Sequence, residues 1–176
     1  MRKISKCVWL TGLPCSGKTT LTEGLRDKLS KHGINSLVLD GDILRRTLNS
    51  DLGFDLESRN IAMKRVAQLA HMICSQNMNV LVSVISPLEQ QRDYAKKVFD
   101  NQKNFYEIYI STKLEECEKR DTKGMYKKAR NREIKNFTGI DSVYEEPSSP
   151  FMSVDTTEYT ISESVDLIYK NVFLKN

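Results

Sequence analysis

The chain has 176 residues, 39% hydrophobic and 28% charged, with a formal net charge of +4. This is globular composition at the length of one domain, 1–176, long enough to bury a core without metal or disulfide staples. No apolar run approaches the roughly 20 residues of a membrane span, and the basic start Met1–Lys6 lacks the apolar stretch of a secretory signal, so no membrane partner is expected and the chain reads as cytoplasmic. Cys7, Cys15, Cys74 and Cys117 make no C-x-x-C pair, which argues against a zinc site or disulfide framework and leaves buried or incidental thiols.

The first expected element is the apolar strand Val8–Thr11, which breaks into Gly12-Leu13-Pro14-Cys15-Ser16-Gly17-Lys18-Thr19. This is G-x-x-x-x-G-K-[ST], the phosphate-binding loop. Its glycines let backbone N–H groups converge on a polyphosphate, Lys18 supplies a mobile positive charge, and Thr19 offers a hydroxyl to Mg²⁺. Thr20 follows on the first turn of a helix carrying Leu21, Leu25 and Leu29 to about Lys31, where His32-Gly33 signals a stop and His32 reads as an exposed capping residue.

Asn35–Leu39 is the next strand, delivering Asp40-Gly41-Asp42 at its carboxyl end, where ligands bind in open α/β sheets. Asp42 can cap the short helix expected over Ile43–Leu48, and beside a phosphate loop either acid suits Mg²⁺ or an attacking hydroxyl. After the loop Asp51–Phe54, a long helix is expected over Leu56–Asn77 with Ile61, Val66, Leu69, Ala70 and Ile73 as its apolar stripe. Asn79–Ile85 is nearly all apolar, the pattern of a central parallel strand. Ser86-Pro87-Leu88-Glu89 reads as a capping box with Ser86 as N-cap, opening a helix to about Asp100 and facing the ligand crevice.

Phe105–Ile110 is a strand and Leu114–Lys119 a helix. Lys119–Lys135 holds eight Lys/Arg against Asp121 and Glu133, a density that suits an anionic partner. It lacks the aromatic pattern of RNA-binding strands, so no nucleic-acid partner is expected. Glu145–Pro150 is a loop, Phe151–Val154 a short strand, and Thr160–Glu163 a second capping box opening a helix with Val165, Ile168 and Val172 inward. The expected fold is α/β, a parallel sheet flanked by helices as in P-loop NTPases, without a second domain.

Six motifs in order resemble the adenylylsulfate kinase family over nearly the whole chain: Trp9–Leu13 with the phosphate loop, Leu39–Asp42, Asp51–Phe54, Ile85–Pro87, Lys123–Arg130 and Glu133–Asp141. The resemblance implies an ATP- and Mg²⁺-dependent homodimer that phosphorylates the 3′-hydroxyl of a small-molecule acceptor, adenosine 5′-phosphosulfate. Lys18, Asp40 and Ser86 would be catalytic, with Asp40 the base and, beside Thr19, the Mg²⁺-linked carboxylate. Gly12 to Thr20, Lys127 and Arg130 would hold ATP. Asp40, Asp42, Arg45, Phe54, Arg59, Ala62, Ile85, Ser86, Lys123, Asn136 and Phe137 would hold the acceptor, with Phe54 and Phe137 sandwiching its base. Ser86 falls on the serine the family is held to phosphorylate. A positioning role suits it better, because phosphoryl transfer needs alignment and charge neutralisation more than a covalent relay. Residues of about 120–141 would form a lid.

The chain departs from the family where Glu-Asn-Ile-Arg-Arg is usual: here stand Ile61-Ala62-Met63-Lys64-Arg65. Leu88 replaces an aromatic residue and Thr122 a proline. A variant branch of the family, found in bacterial capsule biosynthesis, phosphorylates cytidine diphosphoramidate, and this chain is similar enough to make that the alternative acceptor. The ordinary family substrate is the expected one.

Overall fold

The computed structural model describes residues 5–100 and 104–174, so most of the basic start, residues 1–4, lies outside the described residues. Strands β1 (Cys7–Thr11), β2 (Ser36–Asp40), β3 (Asn79–Ser83), β4 (Phe105–Ile110) and β5 (Met152–Val154) pair in parallel in the order β2-β3-β1-β4-β5. Between them run α1 (Lys18–Lys31), α2 (Gly41–Arg46), α3 (Leu56–Ser75), α4 (Glu89–Val98), α5 (Leu114–Arg120) and α6 (Met125–Arg130), and α7 (Ile161–Tyr169) closes with a π-helical turn, Lys170–Leu174. No described helix is long and apolar enough to cross a membrane.

β1 is central, and its alternation fills two cores. Cys7 and Trp9 join α3 and α4 on one face; Val8 and Leu10 join α1 and α7 on the other. Leu21, Leu25 and Leu29 of α1 are at most 1% exposed, each worth about 1.5–3 kcal/mol relative to exposure. α7 begins at the expected capping box: Thr160 Oγ1 accepts from the Glu163 N–H at 3.3 Å, and Glu163 returns a carboxylate oxygen to the Thr160 N–H at 2.9 Å. His32 is the exposed C-cap residue of α1, as expected.

Three local expectations need correction. The inward face of α3 is Ala62, Val66, Ala67, Ala70 and Cys74, while Leu69 and Ile73 only flank the core. Small residues let the helix approach the sheet closely, so the larger ones are displaced to its edges. The second helix starts at Gly41, two residues early, because Asp40 caps it in place of Asp42: one carboxylate oxygen accepts from the Asp42 N–H at 2.9 Å and the Ile43 N–H at 3.3 Å. Finally, α4 starts at Glu89 with Leu88 as N-cap residue, so Ser86 is no cap.

Candidate active site

The carboxyl ends of β1, β2 and β3 lie side by side and converge on the loop Gly12–Thr19. Gly12 has φ +154°, and a Cβ there would come within 2.6 Å of the Ile110 carbonyl oxygen; Gly17 has φ +105°. Both positions demand glycine, which leaves the loop's backbone open for close approach. Lys18 folds over the loop, its Nζ donating to the carbonyls of Gly12 (2.9 Å) and Leu13 (2.6 Å) and to Ser16 Oγ (3.3 Å). Burial pulls its pKa down to about 8, against smaller opposing effects of Cys117, Cys15, Asp42 and Asp40.

Thr19 Oγ1 donates to Asp40 Oδ2 at 2.9 Å and lies 3.4 Å from Ser83 Oγ. These are hard oxygen donors around one carboxylate, the kind of set that holds Mg²⁺ in partnership with phosphate oxygens. Among the described residues no group of three or more His, Cys, Asp or Glu forms an all-protein metal cage. Ser83 was not singled out from sequence; its signal is a lone hydroxyl in an otherwise apolar strand end.

Ser86 is 1% exposed and left-handed at φ +39°. Its Oγ accepts from Trp9 Nε1 at 3.1 Å and donates to Thr11 Oγ1 at 2.9 Å. Thr11 Oγ1 in turn donates to the Ile85 carbonyl at 2.7 Å and lies 2.9 Å from the Tyr144 hydroxyl. These contacts use the hydroxyl that the capping-box reading had assigned to the α4 N-terminus.

At the start of α3, Arg59 joins two loops. Nε donates to the Phe54 carbonyl at 2.9 Å, Nη1 to Thr138 Oγ1 at 2.9 Å, and Nη2 to the Asn136 carbonyl. Its pKa is lowered, first by burial and then by neighbouring Arg45. Arg45 donates to the Gly53 carbonyl at 2.7 Å and sits 4.5 Å from the Phe54 ring centroid. The two arginines expected to meet substrate phosphate therefore both hold the loop at Gly53 and Phe54, with Arg45 on the Gly53 carbonyl and Arg59 on the Phe54 and Asn136 carbonyls and the Thr138 hydroxyl. Phe54 is 61% exposed; Phe137 is half-buried, edge-on to Tyr126 at 4.9 Å. Neither ring belongs to the two cores. Asn136 is held at φ +59°, its N–H donating to Asp141 Oδ2 at 2.7 Å. Ala62, in contrast, is 2% exposed and packed away, and Ile85 contributes its carbonyl to Thr11.

The basic segment folds over the loop. Asp121 accepts the N–H groups of Tyr126 and Lys127 at 3.0 Å each, and the buried Tyr126 donates its hydroxyl to the Pro14 carbonyl at 3.0 Å. Lys123 pairs with the exposed Asp42, Arg130 turns to Glu118 at 3.1 Å, and the Lys127 side chain is exposed. Sequence reasoning saw Arg120 only as one charge in a run, and passed over Thr112 and Thr156. The two threonines donate to the Ser16 carbonyl at 3.1 and 3.2 Å, and Arg120 donates to Thr156 Oγ1 at 2.7 Å.

The adenylylsulphate kinase family profile matches residues 4–155. A probable adenylyl-sulfate kinase of Halalkalibacterium halodurans is 45% identical over 164 residues, 93% of this chain and 78% of that one. An adenylyl-sulfate kinase of Clostridium acetobutylicum is 47% identical over 161 residues, 92% and 80% of the two chains. The fold is similar to that of the Mycobacterium tuberculosis APS kinase solved with AMPPNP and APS, with TM-score 0.92 and 40% identity over 96% of this chain and 97% of that one.

Proposed function

Since the chain belongs to the adenylylsulphate kinase family, we propose that it transfers the γ-phosphoryl group of ATP to the ribose 3′-hydroxyl of adenosine 5′-phosphosulfate. The observation that carries the reading is the pairing of two half-sites. Lys18 and Thr19 end the phosphate loop, with Asp40 joined to Thr19, and Arg59 ties together the loops that carry Phe54 and Phe137.

The loop amides and Lys18 would bind the triphosphate, the ammonium leaving the Gly12 and Leu13 carbonyls for phosphate oxygens. Thr19 and Asp40 would hold Mg²⁺, which would supply neutralisation of phosphate charge. Asp40, fixed by its cap on α2, would take the proton of the attacking 3′-hydroxyl. Arg45 and Arg59 would steer the acceptor's anionic end, and the two phenylalanines would stack on its base. Ser86 would position the floor between Thr11 and Ile85 without becoming phosphorylated. Residues 120–141 would act as a lid, bringing Lys123, Lys127 and Arg130 to the transferring group and excluding water. The family resemblance supports a homodimer, tested by sedimentation, and a cytoplasmic setting supplies its ATP.

One observation favours the second acceptor, cytidine diphosphoramidate. The positions where the family places Asn and Arg are here Ala62, which is packed away, and Lys64, whose ammonium lies 5.7 Å from the Tyr94 ring centroid. Both acceptors are nucleoside 5′-phosphates joined to a small tetrahedral anion. Supplying each separately with Mg-ATP tests the choice. Adenylylsulfate is expected to win in kcat/KM; a preference for the cytidine compound by ~100-fold, about 2.7 kcal/mol of transition-state binding, overturns it.

A further inference from the structure

A buried charge pair joins α4 to β4. Arg92 of α4 is 1% exposed, and its Nε meets Glu107 Oε1 of β4 at 3.0 Å; Glu107 is 2% exposed. Lys96 reaches the other carboxylate oxygen at 2.6 Å from a partly exposed position. Sealing such charges under a sheet carries a large desolvation cost, and a well-packed apolar pair is often as stable or more so. Stability alone is thus a weak account of the pair, and its geometry supplies another use.

Arg92 Nη1 donates to the Ser86 carbonyl at 2.8 Å. Glu107 stands opposite Trp9 in the β1/β4 register, and Trp9 donates to Ser86 Oγ. Ser86 is thus gripped twice, its side chain by Trp9 and Thr11 and its backbone by Arg92. A serine at φ +39° is in a sparsely populated region, which persists only where surroundings over-determine it. The Arg92 guanidinium also lies 5.8 Å from the Tyr144 ring centroid, and the Tyr144 hydroxyl reaches Thr11. One buried cation therefore links the Ser86 turn, the residue preceding Gly12 of the phosphate loop, and the segment returning from the basic lid.

We propose that Arg92, locked by Glu107, is a positioning residue for phosphoryl transfer. It holds Ser86 left-handed and so fixes the Ile85–Ser86 floor against Thr11 and the phosphate loop. The inference rests on the kinase reading, and its test keeps the two apart. Trp9 is the only tryptophan in the chain, so its emission reports the Trp9–Ser86 contact without any turnover.

Two variants are compared with the parent. Arg92→Lys keeps the charge, but one ammonium cannot span both Glu107 Oε1 and the Ser86 carbonyl with a planar fork's geometry. Arg92→Met with Glu107→Met removes both charges, so the fold is expected to survive. In both, kcat is expected to fall at least about tenfold while the KM for Mg-ATP stays within about twofold, and Trp9 emission to shift. A purely structural role would move melting temperature alone. If either folded variant keeps kcat within about twofold of the parent, or parent-like Trp9 emission, the assignment of Arg92 is overturned. A parent that phosphorylates no nucleotide acceptor overturns the kinase reading instead, while the Trp9 shift still judges the Arg92–Ser86 link.

Discussion

The hydroxyl of Thr19 donates to Asp40 Oδ2 at 2.9 Å, tying the first turn of α1 to the end of β2. The other oxygen of the same carboxylate caps α2. Asparagine caps a helix about as well as aspartate, so Asp40→Asn separates the charge from the cap. Turnover is expected to fall by ~100-fold or more, with little change in ATP affinity or melting temperature. A variant of near-full activity would move the base to Asp42 or leave substrate alignment as sufficient.

Lys18 is expected to make nucleotide binding proton-linked. Its pKa is lowered by burial from 10.5 to about 8. Between these values the unfolded chain holds more protons than the native one, so this group's contribution to stability rises with pH across that window and is unfavourable below it. Phosphate oxygens at Nζ restore the charged form. Binding is therefore expected to take up about one proton near pH 9 and almost none near pH 7, and ATP affinity to weaken as pH climbs through 8. Calorimetry in buffers of different ionisation heat reads this directly, and Lys18→Met should abolish the uptake.

Ser86→Ala removes a buried acceptor from Trp9 Nε1 and a donor to Thr11. The unsatisfied indole N–H should cost about 1–3 kcal/mol of stability. Turnover is expected to persist, reduced by about tenfold or less, because alignment and not covalency carries the chemistry. Intact mass measured during turnover should show no phosphoserine in the parent. Total loss of activity in a folded variant would restore a covalent relay.

Arg59 spans the loops bearing Phe54 and Phe137 with a fork that lysine cannot reproduce. Arg59→Lys is expected to raise the acceptor KM by ~10-fold or more, leaving the KM for ATP within about twofold. Equal effects on both substrates would show that the clamp serves the whole fold.

Much of this was legible along the chain because the signals are local. The loop Gly12–Thr19, the Thr160–Glu163 capping box and the bounds of β4 each follow from adjacent residues and the period of burial. What stayed hidden depends on contacts distant in sequence. Asp42 is the expected cap until the strand end is seen to put Asp40 at the helix start and beside Thr19. Ser86 carries a faultless capping pattern, but Trp9 and Thr11, more than seventy residues away, take its hydroxyl. Arg92 and Glu107 are ordinary charged letters in sequence and become a buried pair only when α4 brings Arg92 to Glu107 of β4. The stripe of α3 misled because large apolar residues draw attention, whereas close helix–sheet approach selects alanine.

The most direct test of the central claim is to incubate the protein with Mg-ATP and adenylylsulfate and locate the transferred phosphate by ³¹P NMR. The expected result is a new phosphomonoester resonance coupled to the ribose 3′ proton, appearing in step with ADP and absent with Lys18→Ala. ADP formed with only inorganic phosphate, or a phosphomonoester at any other position, would contradict it.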